Sequence, residues 1–273
     1  MGANAPIGIF DSGIGGLSVL RHIRTLLPNE QLLYFADSGF APYGGKPEEV
    51  IVARSLAIAA FMMQQGVKAF VVACNTATAA AIKAIRATYP TLPVVGVEPG
   101  LKPAAVISKS GIVGVLATER TLGSAKFDLL REQITAATTV RFLKQPCVGL
   151  ADQIEKGELH SAATALLVRR YVEPLLEQGA DTLVLGCTHY PFVQPLIGEV
   201  VQGATTRPVS VIDTGIPVAR QLVRLLEERG LRRAAPGEGA LAAYTTGSET
   251  ALSSAFSRLL KLHPPVTAIA ANA

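Results

Sequence analysis

The chain contains no tryptophan, and its 273 residues include only 3 cysteines and 4 histidines, with 5% aromatic residues. Three cysteines, Cys74, Cys147 and Cys187, cannot build a paired disulfide framework. None stands in a Cys-x-x-Cys pair, so all three are expected to be reduced thiols. No apolar run reaches the roughly 18 residues that a membrane span needs. "MGANAPIGIF" has no basic segment followed by a long apolar one, and Pro6 stands where a myristoylation signal has Ser or Thr. No membrane partner is expected, and the location expected is cytoplasmic.

Strong charge is missing too. The net charge is +4, and the basic pieces "VRR" (168–170) and "RGLRR" (229–233) are short. Without aromatic residues between them they read as solvated helix ends and loops, so no nucleic-acid partner is expected. A mild positive balance is compatible with a small acidic substrate. With 49% hydrophobic and 17% charged residues, the chain can bury a large core as one large or two modest domains.

What is present is an alternation. "PIGIF" (6–10), "QLLYFAD" (31–37), "KAFVVAC" and "PVVGV" (93–97) are short apolar runs that read as buried strands. Between them, "GLSVLRHIRTLLP" has helical spacing and stops at Pro28. "PEEVIVARSLAIAAFMMQQG" opens on Pro47 with two glutamates and ends at Gly66, and "NTATAAAIKAIRATYP" has Asn75 or Thr76 as its expected cap. The pattern then restarts with "GIVGVLAT", "TVRFLKQ" and "DTLVLGC" as strands and helices between them. "PVSVIDTG", "IPVARQLVRLLEERG", "ALAAYTTGS" and "ETALSSAFSRLLKL" close the chain. Such alternation predicts parallel sheets flanked by helices.

The restart repeats the first pattern. "AFVVACNTATAAAI" and "TLVLGCTHYPFVQPLI" share one form: strand, small residue, cysteine, polar residues, helix. "IGIFDSG" and "GVLATER" match in outline, again a little over one hundred residues apart. The fold expected is α/β, in two pseudo-symmetric domains that each hold a mostly parallel sheet flanked by helices. The first domain is expected to be discontinuous, 1–97 plus 209–273, and the second to span 98–208.

Functional groups gather at the carboxyl ends of parallel strands. Those positions hold Asp11 and Ser12, Asp37, Cys74 with Asn75 and Thr76, Thr118 and Thr121, and Cys187 with Thr188 and His189. A helix N-terminus favours a thiolate and binds carboxylates. Several chemistries compete at this point. A metal needs three or four ligands, and no second cluster joins Cys187 and His189; no metal is expected. A cysteine hydrolase could use Cys187 and His189 with an acid, but Cys74 would then be surplus. "DSGIGGLS" imitates a dinucleotide fingerprint, yet Ser18 stands at its third glycine position and Asp11 would repel a pyrophosphate. Its glycines fit a tight turn better. Lys46 in "PYGGK" is a lone candidate for a pyridoxal Schiff base. Two thiols in matching places suit one further reaction, inversion of a stereocentre, in which one group removes a proton and its counterpart returns one to the other face.

At this level of detail the sequence resembles a known family. "IGIFDSGIGGLSVLRHIRTLLPNEQLLYFADSGFAPYGGK", "VVACNTATAA", "VVGVEPGLKPA", "VGVLATERTL" and "LVLGCTHYP" are together similar to the glutamate racemases of the aspartate/glutamate racemase family, from residue 7 to about 215. The resemblance implies cofactor-independent interconversion of L- and D-glutamate, with the active site in the cleft between the two domains. D-glutamate in turn implies a role in peptidoglycan synthesis. Carried over by position, Cys74 and Cys187 are the acid/base thiols, assisted by Asp11 and His189. The substrate glutamate is held by Asp11, Ser12, Tyr43, Gly44, Asn75, Thr76, Thr121, Thr188 and His189. Thr118 falls in the same stretch as Thr121, where Glu119 and Arg120 vary the family pattern. Glu155 in "DQIEKGEL" resembles a family acid near the site, Asp37 reads as structural, and Cys147 carries no catalytic task. A homodimer fits the family, and aspartate is the alternative substrate.

Overall fold

The structure, a computed structural model, describes residues 2–235 and 237–270. The chain forms two compact units, Met1–Val97 with Gly215–Ala273, and Glu98–Thr214.

The first unit begins with β1 (Ile7–Asp11), α1 (Leu17–Leu26), β2 (Leu32–Ala36), α2 (Glu48–Gln64), β3 (Ala69–Val72), α3 (Asn75–Thr88) and β4 (Val94–Gly96). The second holds α4 (Leu101–Ile107), β5 (Ile112–Ala117), α5 (Glu119–Leu122), α6 (Ala125–Ala137), β6 (Arg141–Pro146), α7 (Leu150–Glu155), α8 (Ala162–Glu177), β7 (Thr182–Gly186), α9 (Gln194–Ala204) and β8 (Ser210–Ile212). The chain then returns to the first unit as α10 (Gly215–Glu228), β9 (Leu241–Thr245), α11 (Glu249–Leu260) and β10 (Val266–Ala268).

Both sheets are parallel. In the first the order is β10-β9-β2-β1-β3-β4, and in the second β6-β5-β7-β8. β1, β3 and β7 are buried at every residue, as expected of a central strand with helices on both faces. On one face of the first sheet, Phe10, Phe35, Phe70 and Val72 pack with Ile51, Ile58 and Met62 of α2 and Ala77, Ala81 and Ile85 of α3. Burying one such side chain contributes about 1.5–3 kcal/mol, so this layer fixes α2 and α3 against the strands. In the second unit Val113, Val115 and Val184 pack with Leu101 and Phe127, while Leu116, Leu183 and Leu185 pack with Val168, Val172 and Ile197.

The order β2-β1-β3-β4 is the same as β6-β5-β7-β8, strand for strand. The repeated sequence pattern is therefore a repeated topology. Two details differ from the expectation. Residues 209–214 go with the second unit, because Ser210–Ile212 pairs with β7 through Thr182↔Ser210 and Val184↔Ile212. A three-residue strand carries too little pattern to show which sheet it joins. β10, equally short, leaves no strand pattern in the sequence.

Candidate active site

In each sheet the first strand is flanked by the second on one side and the third on the other. That is a topological switch point, and the loops leaving the two strands there part to form a crevice at their carboxyl ends. In the first unit it lies between β1 and β3, which end at Asp11 and lead into Cys74. In the second it lies between β5 and β7, which lead into Thr118 and Cys187. The expected site residues other than Tyr43 and Gly44 thus collect at two equivalent places, one per unit.

In the first unit, Cys74 itself is the N-cap of α3, in extended conformation, and its Sγ accepts the N–H of Ala77 at 3.4 Å. The expected caps, Asn75 and Thr76, are instead the first helical residues. Ser12 Oγ lies 3.7 Å from Cys74 Sγ. Asp11 is fully buried and accepts the N–H of Gly13 on Oδ2 at 2.8 Å. Neither the nitrogen nor the oxygen of the buried Asn75 amide meets a hydrogen-bond partner. Leaving such a group unsatisfied costs about 1–3 kcal/mol. Thr76 is buried beside it.

The glycine-rich turn has a packing task. A Cβ on Gly16 would come 2.7 Å from Asp11 Cβ and 3.2 Å from Ala73 Cβ, so Gly16 is what lets α1 begin against the ends of β1 and β3. Tyr34 fixes the turn from below by donating to Gly13 O at 2.8 Å.

Tyr43 and Gly44 lie in a single helical turn, Tyr43–Gly45. Tyr43 is buried in the same cluster as Cys74 and packs on Phe10 with ring centroids 6.2 Å apart. Its hydroxyl donates to Asp37 Oδ2 at 2.5 Å. Burial pushes the Tyr43 phenol pKa up, and the Asp37 charge adds to the shift, so the ring stays neutral. Asp37 also receives Arg54 Nη2 at 2.8 Å, Arg54 Nε at 3.2 Å and Thr246 Oγ1 at 2.8 Å.

In the second unit, Cys187 Sγ lies 3.7 Å from Nδ1 of His189, whose Nε2 lies 2.7 Å from Glu155 Oε2. Burial disfavours charge on His189, but hydrogen bonds to Cys187 and Glu155 and the charges of both outweigh it, and the pKa rises well above the usual 6.5. The raised pKa favours the imidazolium form, in which both ring nitrogens are donors. Glu155, 34 residues away in sequence, is the partner that completes this chain. Thr188 and Thr121 are buried, and Thr118 caps α5 by accepting the Thr121 N–H at 3.2 Å. Cys147 donates to Gln145 O at 3.4 Å, and burial raises its pKa, so this thiol is inert. Among the described residues no group of three or more His, Cys, Asp and Glu side chains is placed to hold a metal ion, and no helix is long and apolar enough to cross a membrane.

A sequence model of the Asp/Glu/hydantoin racemase family matches residues 7–222. The glutamate racemase of Ectopseudomonas mendocina is 55% identical over 236 residues, covering 86% of this chain and 88% of its own. Two solved structures are similar along almost their whole length. Glutamate racemase from Francisella tularensis in complex with D-glutamate has a TM-score of 0.85 at 28% identity, covering 99% of each chain. Escherichia coli glutamate racemase in complex with L-glutamate and the activator UDP-MurNAc-ala has a TM-score of 0.81 at 30% identity, covering 97% of this chain and 98% of its own. The chain belongs to the aspartate/glutamate racemase family, and is thus an amino-acid racemase, an isomerase.

Proposed function

We propose that the chain interconverts L- and D-glutamate by two-base proton transfer, with Cys74 and Cys187 acting on opposite faces of the same Cα and no cofactor. The observation that carries this reading is the equivalent placement of the two thiols, each just beyond the third strand of a sheet with the same strand order. The names and bound glutamates of the similar proteins support the choice of substrate.

In one direction the Cys74 thiolate takes the Cα proton and the Cys187 thiol gives one to the opposite face. The reverse direction exchanges the roles. An ordinary thiol, with a pKa of about 8.5, is a weak base for an unactivated Cα–H. The site must therefore stabilise the developing carbanion with donors already in place. The unpartnered Asn75 amide, Ser12, Thr76, Thr121 and Thr188 are such groups, and in this reading they hold the carboxylates. Asp11 takes the ammonium group and assists Cys74, while the His189 imidazolium steadies charge on the Cys187 side. Tyr43 and Gly44 close the first half-site. D-glutamate made in this way would serve peptidoglycan synthesis in the cytoplasm.

A second reading rests on the Cys187–His189–Glu155 array, which has the connectivity of a cysteine hydrolase triad. Cys74 separates the two, because a hydrolase keeps its activity without it. The test is circular dichroism of the protein with each enantiomer of glutamate in deuterium oxide. Decay to zero from both sides, deuterium at Cα, and inactivity of Cys74→Ser and Cys187→Ser are expected. Turnover without deuterium incorporation would overturn the mechanism, and turnover of aspartate alone would overturn the substrate.

A further inference from the structure

Two ion pairs, one buried and one partly buried, tie the first unit together, and they differ in place. Lys68 and Glu30, 2.5 Å apart, stand at the amino ends of β3 and β2. Glu30 Oε1 there also accepts the Arg233 N–H at 2.8 Å, so this pair fastens the return of the chain. Arg54 and Asp37 stand at the other end, where the site residues lie. Asp37 follows β2, and Thr246, its third partner, follows β9.

The segment 38–46 is fastened through this second pair. The Arg54 guanidinium covers the Phe40 ring, 3.9 Å from its centroid. Gly39 N–H donates to Thr246 Oγ1 at 3.1 Å, and a Cβ on Gly39 would come 2.5 Å from Thr246 O. Tyr43 donates to the carboxylate that Arg54 grips with two nitrogens. A bidentate guanidinium fixes the plane of a carboxylate as well as its position, which an ammonium cannot do. The direction of the Tyr43 hydroxyl is therefore set by Arg54, through Asp37.

We infer that Arg54 is a positioning residue for the chemistry at Cys74: with Asp37 as the bridge, its guanidinium sets where Tyr43 and the turn carrying Gly44 stand beside that thiol. Tyr43 shares a packed cluster with Cys74, so a displaced ring changes the packing to which the sulfur belongs. The inference rests on the racemase reading for its effect on turnover, and on geometry alone for its effect on Cys74.

The experiment compares Arg54→Ala, Arg54→Lys and Thr246→Val with a control, Lys68→Met combined with Glu30→Gln. Two properties are read per folded molecule: kcat and KM with each enantiomer, and the rates at which iodoacetamide labels Cys74 and Cys187, followed by mass spectrometry. Arg54→Ala is expected to lose about tenfold to hundredfold in kcat/KM, the scale of a roughly 1 Å misplacement. Its Cys74 labelling is expected to change by about threefold or more relative to Cys187, the internal reference. Millimolar guanidinium chloride restores part of the activity, whereas Arg54→Lys, which keeps the charge and loses the fork, stays impaired. The control loses stability and keeps both readouts.

A labelling ratio and activity within twofold of the parent in Arg54→Ala overturn the inference. If that variant does not fold, Arg54→Lys, which keeps the charge and loses the fork, carries the same labelling readout, and an unchanged ratio there overturns it equally. Failure of the racemase reading shows elsewhere, as an unsubstituted protein that turns over neither enantiomer; the labelling ratio then still decides the inference.

Discussion

The Sγ of Cys74 accepts the N–H of Ala77, so the proposed base of the first half-site is also the cap of the helix that follows it. Serine is a good N-cap, and alanine is not. Cys74→Ser is therefore expected to keep the melting temperature within a few degrees while activity falls about 10²- to 10⁴-fold, the usual weight of a proton-transfer group. Cys74→Ala is expected to lose the same activity and about 1 kcal/mol of stability besides. Thermal unfolding of the two variants side by side separates chemistry from capping. Equal stability for both would refute the capping role.

Glu155 Oε2 lies 2.7 Å from His189 Nε2. The His189 pKa is raised in the folded protein, so its stabilising contribution is complete below about pH 6.5, the unfolded value, and is lost as pH rises through the folded value. In Glu155→Gln one of the two groups that raise it is gone while burial still opposes charge. The His189 titration, followed by nitrogen-15 NMR of the ring, is expected to move to lower pH, and the alkaline limb of the rate profile with it. A titration that stays in place would show that Glu155 does not set the charge of His189.

Asp181 tests the second unit far from its thiol. Its carboxylate accepts Ser108 Oγ at 2.6 Å and the N–H groups of Lys109 and Ser110, each at 2.7 Å. Partial burial opposes its charge, but these bonds outweigh that and hold its pKa at about 2. A depressed carboxylate stabilises above its unfolded pKa, near 3.9, and the stabilisation is lost as pH falls through the folded value. Asp181→Asn is expected to cost about 1 kcal/mol at pH 7 after solvent screening. The difference from the parent should vanish between about pH 4 and pH 2. Urea unfolding over that range decides it; a gap that persists at pH 2 has another cause.

Gly16 offers a steric test of Asp11. An alanine there pushes on Asp11 Cβ and Ala73 Cβ together, both of them backbone-anchored atoms. Overpacking of this kind costs about 1–3 kcal/mol. Activity is expected to fall in Gly16→Ala by more than the folded fraction explains. Full activity per folded molecule would place Asp11 outside the chemistry.

The strands were legible because central parallel strands are continuous apolar runs, and the helices because their ends carry proline, glycine and acidic residues. The two cysteine junctions could be found for the same reason: each follows such a run directly. Asn75 and Thr76 read as caps because the rule favours oxygen side chains, and a thiol that takes the position breaks it. The sheet that residues 209–214 join is not legible, since a three-residue strand has no period to read. Arg54 and Thr246 left no local mark at all. They meet Asp37 across 17 and 209 residues, and only the pairing of β2 with β9 brings Thr246 there.

That pairing bears on the order in which the molecule is made. β9 is synthesised after the whole of Glu98–Thr214, yet it lies against β2, and its far end supplies Thr246 to Asp37. On a ribosome the second unit has all of its chain available first, while the earlier-made first unit waits with β2 as an open edge. An open edge strand is a template for wrong pairing. Of the two half-sites, the one containing Cys74 begins earlier and is finished later, and the interval between is when the nascent chain has the most to gain from protection.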